Sequence, residues 1–326
     1  MKVVIPVAGV GTRLRPQTHT IPKALLIVAG KPILGHIIDD VLPFSPREIV
    51  LVIGYMGERV VEYMERDYPK IPVRYVRQEA RRGLGHAIWM ARESFEKDKP
   101  VLVILGDTIF KADLARVVRE GASSLGVMEV ADPRRFGIVI LKNGVAGRVV
   151  EKPDQPESNL ALTGVYFFKD SGLLGECLDE LMRRGITTKG EYQLTDALGL
   201  MIERGEKMRT FPLTGWYDCG KPETLLETNR FLLEKSGGAA TIAGSVVIGP
   251  VAIDPAAIIE RSLIGPFVTI ASGATIRDSI VRNSIVGRGA LVERSLLDAS
   301  LVGENARVEG VFQRLNVGDD SEIALA

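Results

Sequence analysis

The sequence predicts an α/β domain on a mostly parallel, mixed sheet, followed by a C-terminal parallel β-helix. Three observations predict it. Residues 1–130 alternate short, β-branched apolar runs with amphipathic stretches. That alternation argues a parallel sheet covered by helices on both faces. From about residue 124 the strand-like runs crowd together, which argues an antiparallel extension. Beyond residue 237 aliphatic residues recur with a period of about six, the mark of coils that stack such side chains. A chain of 326 residues is long enough for about two domains. The small, flexible stretch Ser236-Gly237-Gly238-Ala239-Ala240 divides them into 1–236 and 237–326.

The first strand is Val3, Val4, Ile5 and Val7, which runs straight into Ala8-Gly9-Val10-Gly11-Thr12-Arg13-Leu14. Further apolar runs at Ile49–Ile53, Val73–Val76 and Val101–Leu105 predict its neighbours in the sheet. Amphipathic stretches at Ile33–Leu42, Glu58–Tyr68 and Gly85–Phe95 predict the intervening helices. Strands are then predicted at Ser124–Val130, Gly137–Leu141, Arg148–Glu151 and Ala161–Phe168. The turns between them are Asp132-Pro133, Asn143-Gly144 and Pro153-Asp154. Helices follow at about 172–184, 194–204 and 222–234, with a strand at 207–212. The β-helix pattern runs through Ile258, Ile264, Ile270 and Ile276, then Ile285, Leu291 and Leu297, then Val302 and Val308, then Val317 and Ile323.

Composition narrows the function. Lys plus Arg equals Asp plus Glu, 41 each, so nothing draws the whole chain to nucleic acid or an anionic membrane. No apolar run reaches the roughly 18 residues of a membrane span. The N-terminal strand pattern lacks a basic region and a cleavage site, so no signal peptide is predicted. Cys177 and Cys219 form neither a disulfide framework nor a metal-ligand spacing, which fits a reducing cytosol and a cytoplasmic protein.

The glycine loop after the first strand turns tightly and exposes N–H groups of the kind that bind phosphate oxygens. It equally fits a plain strand-to-helix turn. Arg13 and Lys23 add positive charge just downstream. Asp107 follows the strand Val101–Leu105, where a carboxylate can hold Mg²⁺ or cap the helix that starts near Ala112. Asp218 is the natural second ligand, or else a turn-forming residue. Lys152 ends a strand in Glu151-Lys152-Pro153, as a solvated strand end or as a point charge for a phosphate. Gln78 can donate and accept at once, which suits a pyrimidine edge; alone it would read as a solvated loop residue. His86 fits a local helix contact better than a catalytic base.

The string Ala-Gly-x-Gly-Thr-Arg-Leu-x-Pro at 8–16, with Pro22-Lys23, resembles the sugar-1-phosphate nucleotidyltransferases. The likeness continues through Gln78 with Gly83-Leu84, Leu105-Gly106-Asp107, Phe136-Gly137, Glu151-Lys152-Pro153 and Thr163-Gly164. It extends through Gly190-Glu191, Leu194-Thr195-Asp196, Asp218-Cys219-Gly220 and the tail Val317–Ile323. Nearly the whole chain is similar to glucose-1-phosphate thymidylyltransferases of the long form, and also to bacterial UTP–glucose-1-phosphate uridylyltransferases. The resemblance implies a Rossmann-like nucleotidyltransferase domain and a left-handed β-helix. It implies Ala8, Gly9, Gly11 and Thr12 on the nucleotide, Arg13 and Lys23 on the triphosphate, and Gln78 and Gly83 on the pyrimidine. It implies Asp107 and Asp218 on Mg²⁺. Gly137, Glu151, Thr163 and Gly164 would hold the sugar, with Lys152 on its phosphate. The chain departs at Ile27, where a proline is common. Gly83–Ala87 and Asp218-Cys219-Gly220 look more like the uridylyl group.

The implied reaction is attack by a sugar-1-phosphate oxygen on the α-phosphorus of a pyrimidine nucleoside triphosphate. The nucleophile is already an anion, so positioning and positive charge from Arg13, Lys23 and Lys152 are the catalytic devices. Acyl transfer on the β-helix would want a histidine base, and His19, His36 and His86 all precede it. A non-catalytic sugar-nucleotide sensor would be expected to lose charged site residues, and all are present. The β-helix is expected to act as a scaffold and to associate into a homo-oligomer.

Overall fold

The computed structural model describes residues 1–238 and 240–310; the aliphatic positions Val317 and Ile323 and the tail motif lie outside them. The chain divides into one compact unit, Met1–Thr228, and a second that begins at Asn229. That division falls inside the helix Pro222–Ser236, whereas the sequence puts the boundary at the end of that helix.

In the first unit the strand Lys2–Pro6 pairs in parallel with Glu48–Ile53 on one side and Val101–Ile104 on the other. Val73–Arg77 continues the parallel sheet beyond Glu48–Ile53. Buried on both faces, Val3, Val4, Ile5 and Ile49 to Val52 have no exposed surface, as an uninterrupted apolar run requires. Leu160–Phe168 pairs antiparallel with Val101–Ile104 and with Ser124–Glu129. Gly137–Lys142 and Val145–Glu151 form the hairpin at that edge, with a register shift between Ala146 and Arg148. Helices Ile33–Val41, Gly57–Asp67, Ser171–Arg184 and Leu194–Glu203 match the amphipathic reading to within a few residues. The expected helix Gly85–Phe95 is shorter: it runs Leu84–Met90 and tightens into a 3₁₀ turn at Arg92–Ser94. The sequence reading also missed an antiparallel ribbon, Thr108–Lys111 with Gly215–Asp218.

The second unit stacks parallel strands in three sheets. One of them runs Ile258–Glu260, Thr275–Arg277, Leu291–Glu293, Arg307–Glu309. Ile259 pairs with Ile276, 17 positions on, and Ile276 with Val292, 16 on. The coils are therefore shorter than the roughly 18 residues that three sides of about six would need. Shortening shifts the inward positions: Ile259 is buried, while Ile258 of the aliphatic series is 47% exposed.

Serines hold the corners. Ser245 Oγ accepts from the Ser262 N–H at 3.1 Å, Ser262 Oγ from Ser279 at 3.1 Å, and Ser279 Oγ from Ser295 at 3.0 Å. The last three hydroxyls each donate to the carbonyl two residues back. The residue before each of these three, Arg261, Asp278 and Arg294, has a left-handed backbone, with φ of 46–48°. The hydrogen bonds offset that strain.

Gly265 lies at another corner with φ +106°, and a Cβ there would run into the Ile248 carbonyl of the preceding coil. Gly265→Ala is expected to destabilise the β-helix by about 2–4 kcal/mol, from backbone strain and a clash that no rotamer relieves. Urea unfolding checks it, and an unchanged midpoint would show that the coil opens around the methyl group.

Candidate active site

After Lys2–Pro6 the chain builds outward on one side, through Glu48–Ile53 to Val73–Arg77. It then returns to the other side with Val101–Ile104. The order reverses around the first strand, and a crevice opens beyond strand carboxyl ends at such a point. Two cavities lie there. The first, about 320 Å³, is walled in part by Ala8, Gly9, Lys23, Gln78, Gly83 and Asp107. The second, about 540 Å³, is walled in part by Arg13, Gly137, Glu151, Lys152, Thr163, Gly164 and Asp218. Leu84, Leu105 and Asp107 belong to both walls, so the cavities adjoin.

The glycine loop leads to no α-helix. Gly11 takes a left-handed φ of 67° and caps the 3₁₀ turn Thr12–Leu14, and its carbonyl accepts from Thr18 Oγ1 at 2.8 Å. Gly11 and Thr12 line neither cavity. They shape the turn that carries Arg13 into the second one.

Asp107 and Asp218 meet through the ribbon. Asp218 pairs with Thr108, and the Cys219 N–H donates to the Asp107 carbonyl at 3.0 Å. Lys23 Nζ lies 2.5 Å from Asp107 Oδ2 and 4.0 Å from Asp218 Oδ1. Burial and then the Asp107 charge push the Asp218 carboxyl above its usual range, against the pull of Lys23, Arg13 and Arg135. The helix-cap alternative for Asp107 belongs to Asp113, whose side chain caps Leu114–Glu120 through the Arg116 N–H at 2.9 Å. Among the described residues no group of three or more His, Cys, Asp or Glu could hold a metal. Two crowded carboxylates form an all-oxygen donor set that fits a hard divalent cation completed by substrate phosphates.

In the first cavity the loop before helix Leu84–Met90 is clamped. The Gly85 N–H donates to the Tyr192 carbonyl and the Tyr192 N–H to Arg82, both at 2.8 Å. Gly83 has φ +107°, and a Cβ there would sit 2.5 Å from the Tyr192 oxygen. This position therefore requires glycine. Gln78 is buried, with Nε2 2.9 Å from His86 Nδ1 and 3.3 Å from the Gly83 carbonyl.

In the second cavity Thr195 Oγ1 donates to Glu151 Oε2 at 3.1 Å, and Lys152 Nζ lies 3.3 Å from Glu151 Oε1. Gly137 leaves room for that contact, since its Cβ would meet Thr195 at 2.8 Å and Glu151 at 3.0 Å. Thr163 Oγ1 and Trp216 Nε1 are buried without a partner among the described residues, and both residues line this cavity.

The structure also brings in residues that were not singled out as site residues from the sequence. Arg81 and Glu191 line the first cavity; Arg135, Thr195 and Trp216 line the second. Trp216 had a usable signal, because it lies two positions before Asp218 and shares its side of the strand. Arg135 had none, since Asp132-Pro133 marks only a turn.

Residues 2–235 match the nucleotidyl transferase family, and residues 228–321 match the GlmU-like C-terminal hexapeptide family. The chain is 33% identical over 245 residues to the UTP–glucose-1-phosphate uridylyltransferase AglF of Haloferax volcanii, covering 72% of this chain and 98% of that one. It is 30% identical over 318 residues to a glucose-1-phosphate thymidylyltransferase of Streptomyces griseus, covering 88% and 87%. A crystal structure of UDP-glucose pyrophosphorylase complexed with UDP-glucose is similar at a TM-score of 0.61 and 28% identity, over 72% of this chain and 99% of the other. The chain covers 55% of a bifunctional GlmU of Methanocaldococcus jannaschii at 37% identity. The family uses a divalent metal ion. With adjoining cavities at the sheet's switch point and a family match over 2–235, this chain belongs to the nucleotidyl transferase family, as a sugar-1-phosphate nucleotidyltransferase.

Proposed function

We propose that this chain joins glucose-1-phosphate to a pyrimidine nucleotide, from dTTP or UTP, with Mg²⁺ as the metal. The observation that carries the reading is the meeting of Asp107, Asp218 and Lys23 where the two cavities adjoin. The first cavity takes the nucleotide: Gln78 and Gly83 meet the base, Ala8 and Gly9 lie along it, and Lys23 attracts the triphosphate, joined by Arg13 from the wall of the adjoining second cavity. Gly11 and Thr12 act through the turn that holds Arg13. The second cavity takes the sugar phosphate. Glu151 accepts from sugar hydroxyls, Gly137 and Gly164 leave space for the ring, and Lys152 faces the phosphate. Thr163 Oγ1 and Trp216 Nε1, unpartnered among the described residues, suit the remaining hydroxyls.

A phosphate oxygen of the sugar attacks the α-phosphorus. The bond from that phosphorus to the bridging oxygen breaks, and pyrophosphate leaves with the electron pair. No proton needs to move. Arg13, Lys23 and Lys152 bring the two anionic substrates together and stabilise the charge as it spreads. Bound at Asp107 and Asp218, Mg²⁺ would supply further positive charge to the phosphate oxygens.

The likeness to the Streptomyces griseus thymidylyltransferase over 88% of this chain supports dTTP, while Gly83-Leu84-Gly85-His86-Ala87, Asp218-Cys219-Gly220 and the likeness to AglF support UTP as the alternative. A panel of nucleoside triphosphates against sugar-1-phosphates, scored by pyrophosphate release, tests the reading. UTP and dTTP are expected to be used and purine triphosphates poorly; efficient turnover of ATP or GTP would sink it. No helix among the described residues is long and apolar enough to cross a membrane. We infer a cytoplasmic protein, in keeping with two free, buried thiols. We also infer a homo-oligomer, supported by exposed aliphatic side chains on one β-helix sheet: Val246 at 57%, Ile280 at 43% and Leu296 at 74%. Light scattering of the full chain reads the mass.

A further inference from the structure

We propose that His86 is a positioning residue for base recognition: its Nδ1 holds the Gln78 amide so that Oε1, and not Nε2, faces the base. The inference rests on the pyrimidine reading above and says which part of the base is read.

Gln78 is fixed at both ends. Its backbone N–H donates to the Ile53 carbonyl at 2.8 Å, at the end of a central strand. Its side chain is 6% exposed and forms part of the first cavity's wall. An amide nitrogen has two protons, and each has an acceptor here: His86 Nδ1 at 2.9 Å and the Gly83 carbonyl at 3.3 Å. Oε1 has no hydrogen-bond partner among the described residues. A neutral imidazole with its proton on Nε2 offers Nδ1 as an acceptor only, so it selects this orientation of the amide. The alternative orientation would turn Oε1 toward the ring and Nε2 toward the cavity. Burial and the nearby Arg82 charge both keep the ring neutral. The ring is 6% exposed and packs against Trp89, with centroids 5.7 Å apart.

The chemical consequence is selective. An acceptor aimed at the base needs an N–H opposite it. Uracil and thymine present N3–H. Cytosine, of nearly the same size, presents a lone pair at N3 and is repelled. A pocket that merely contained a freely turning glutamine would accept either, because the amide could offer Nε2 to cytosine. His86 thus converts an ambiguous side chain into a reader of N3–H. Gly83 contributes its carbonyl to the same task, in a loop whose backbone only glycine fits.

The test compares kcat/KM for UTP and CTP on the full chain, with glucose-1-phosphate saturating. His86→Leu is expected to lower the UTP-over-CTP preference about tenfold, roughly 1.4 kcal/mol, while KM for the sugar phosphate stays put. His86→Asn, whose Oδ1 can accept from Gln78 Nε2, should restore most of the preference. In a Gln78→Leu background, His86→Leu should change nothing further, because the histidine acts through the amide. A folded His86→Leu protein with wild-type preference would overturn the proposal, as would an equal loss in the Gln78→Leu background. Should His86→Leu fail to fold, ring ¹⁵N shifts of the unaltered protein decide. Nδ1 unprotonated is expected, and a proton on Nδ1 refutes it. Unaltered protein that uses UTP and CTP equally well would overturn this proposal and leave the pyrimidine reading standing, whereas efficient turnover of ATP or GTP would overturn both. A preference that survives His86→Leu removes only this one.

Discussion

Asp218→Asn is expected to lower kcat by about 10²–10³-fold, the scale on which one preorganised charge contact at a transition state is worth. The structure brings Asp218 beside Asp107 with Lys23 between them, so the pair is one electrostatic unit. An amide offers one neutral oxygen where the carboxylate offered a charge, and a hard divalent ion loses half of its protein charge. Stability should move the other way. Burial and Asp107 raise the folded-state pKa of Asp218 above its unfolded value. Its ionised form therefore costs stability at pH values above that raised pKa. The cost fades as the pH falls through the folded and then the unfolded pKa. Asparagine carries no such cost. Without metal, the melting temperature of the variant at neutral pH should equal or exceed that of the parent, while the rise on adding Mg²⁺ shrinks. Near-normal turnover at limiting Mg²⁺ would remove Asp218 from the site.

Lys152→Ala is expected to cut kcat/KM for the sugar phosphate by about 30- to 100-fold, roughly 2–3 kcal/mol, and to leave nucleotide affinity within about twofold. Lys152 has a left-handed φ of 42°, and its N–H donates to the Phe136 carbonyl at 3.0 Å. That backbone conformation stations the residue on the wall of the second cavity. Alanine at the same φ carries the same strain, and the side chain is 45% exposed, so the fold should lose no more than about 0.5 kcal/mol. Calorimetry with the nucleoside triphosphate separates the alternatives. Lost nucleotide affinity would put Lys152 on the triphosphate instead.

Much of this protein was legible because local patterns answer to local physics. The uninterrupted apolar run at Val3 to Val7 can only be a strand buried on both faces, and its exit into glycines marks a turn at the ligand end of a sheet. Spacing of Val60 and Met64 reports a helix face. The aliphatic period reports a coil, because each side of a β-helix must bury its own residue. It misjudged coil length, since 16 or 17 residues per coil are set by corners made of a left-handed residue and a stacked serine. The serines do recur, at Ser262, Ser279 and Ser295, but the aliphatic pattern alone does not carry that spacing.

What the sequence by itself determined was the strands, the glycine loop and the order of the motifs, all of which depend on neighbours within a few positions. Tertiary structure alone decided which distant residues meet. Asp107 and Asp218 are 111 positions apart (218 − 107) and come together through a ribbon that periodicity did not announce. It also decided that Asp113, not Asp107, caps a helix, and that Gly11 and Thr12 shape a turn without lining a cavity. The orientation of the Gln78 amide belongs here too. An amide has no preferred flip of its own, and only the acceptors around it, His86 and Gly83, break that symmetry.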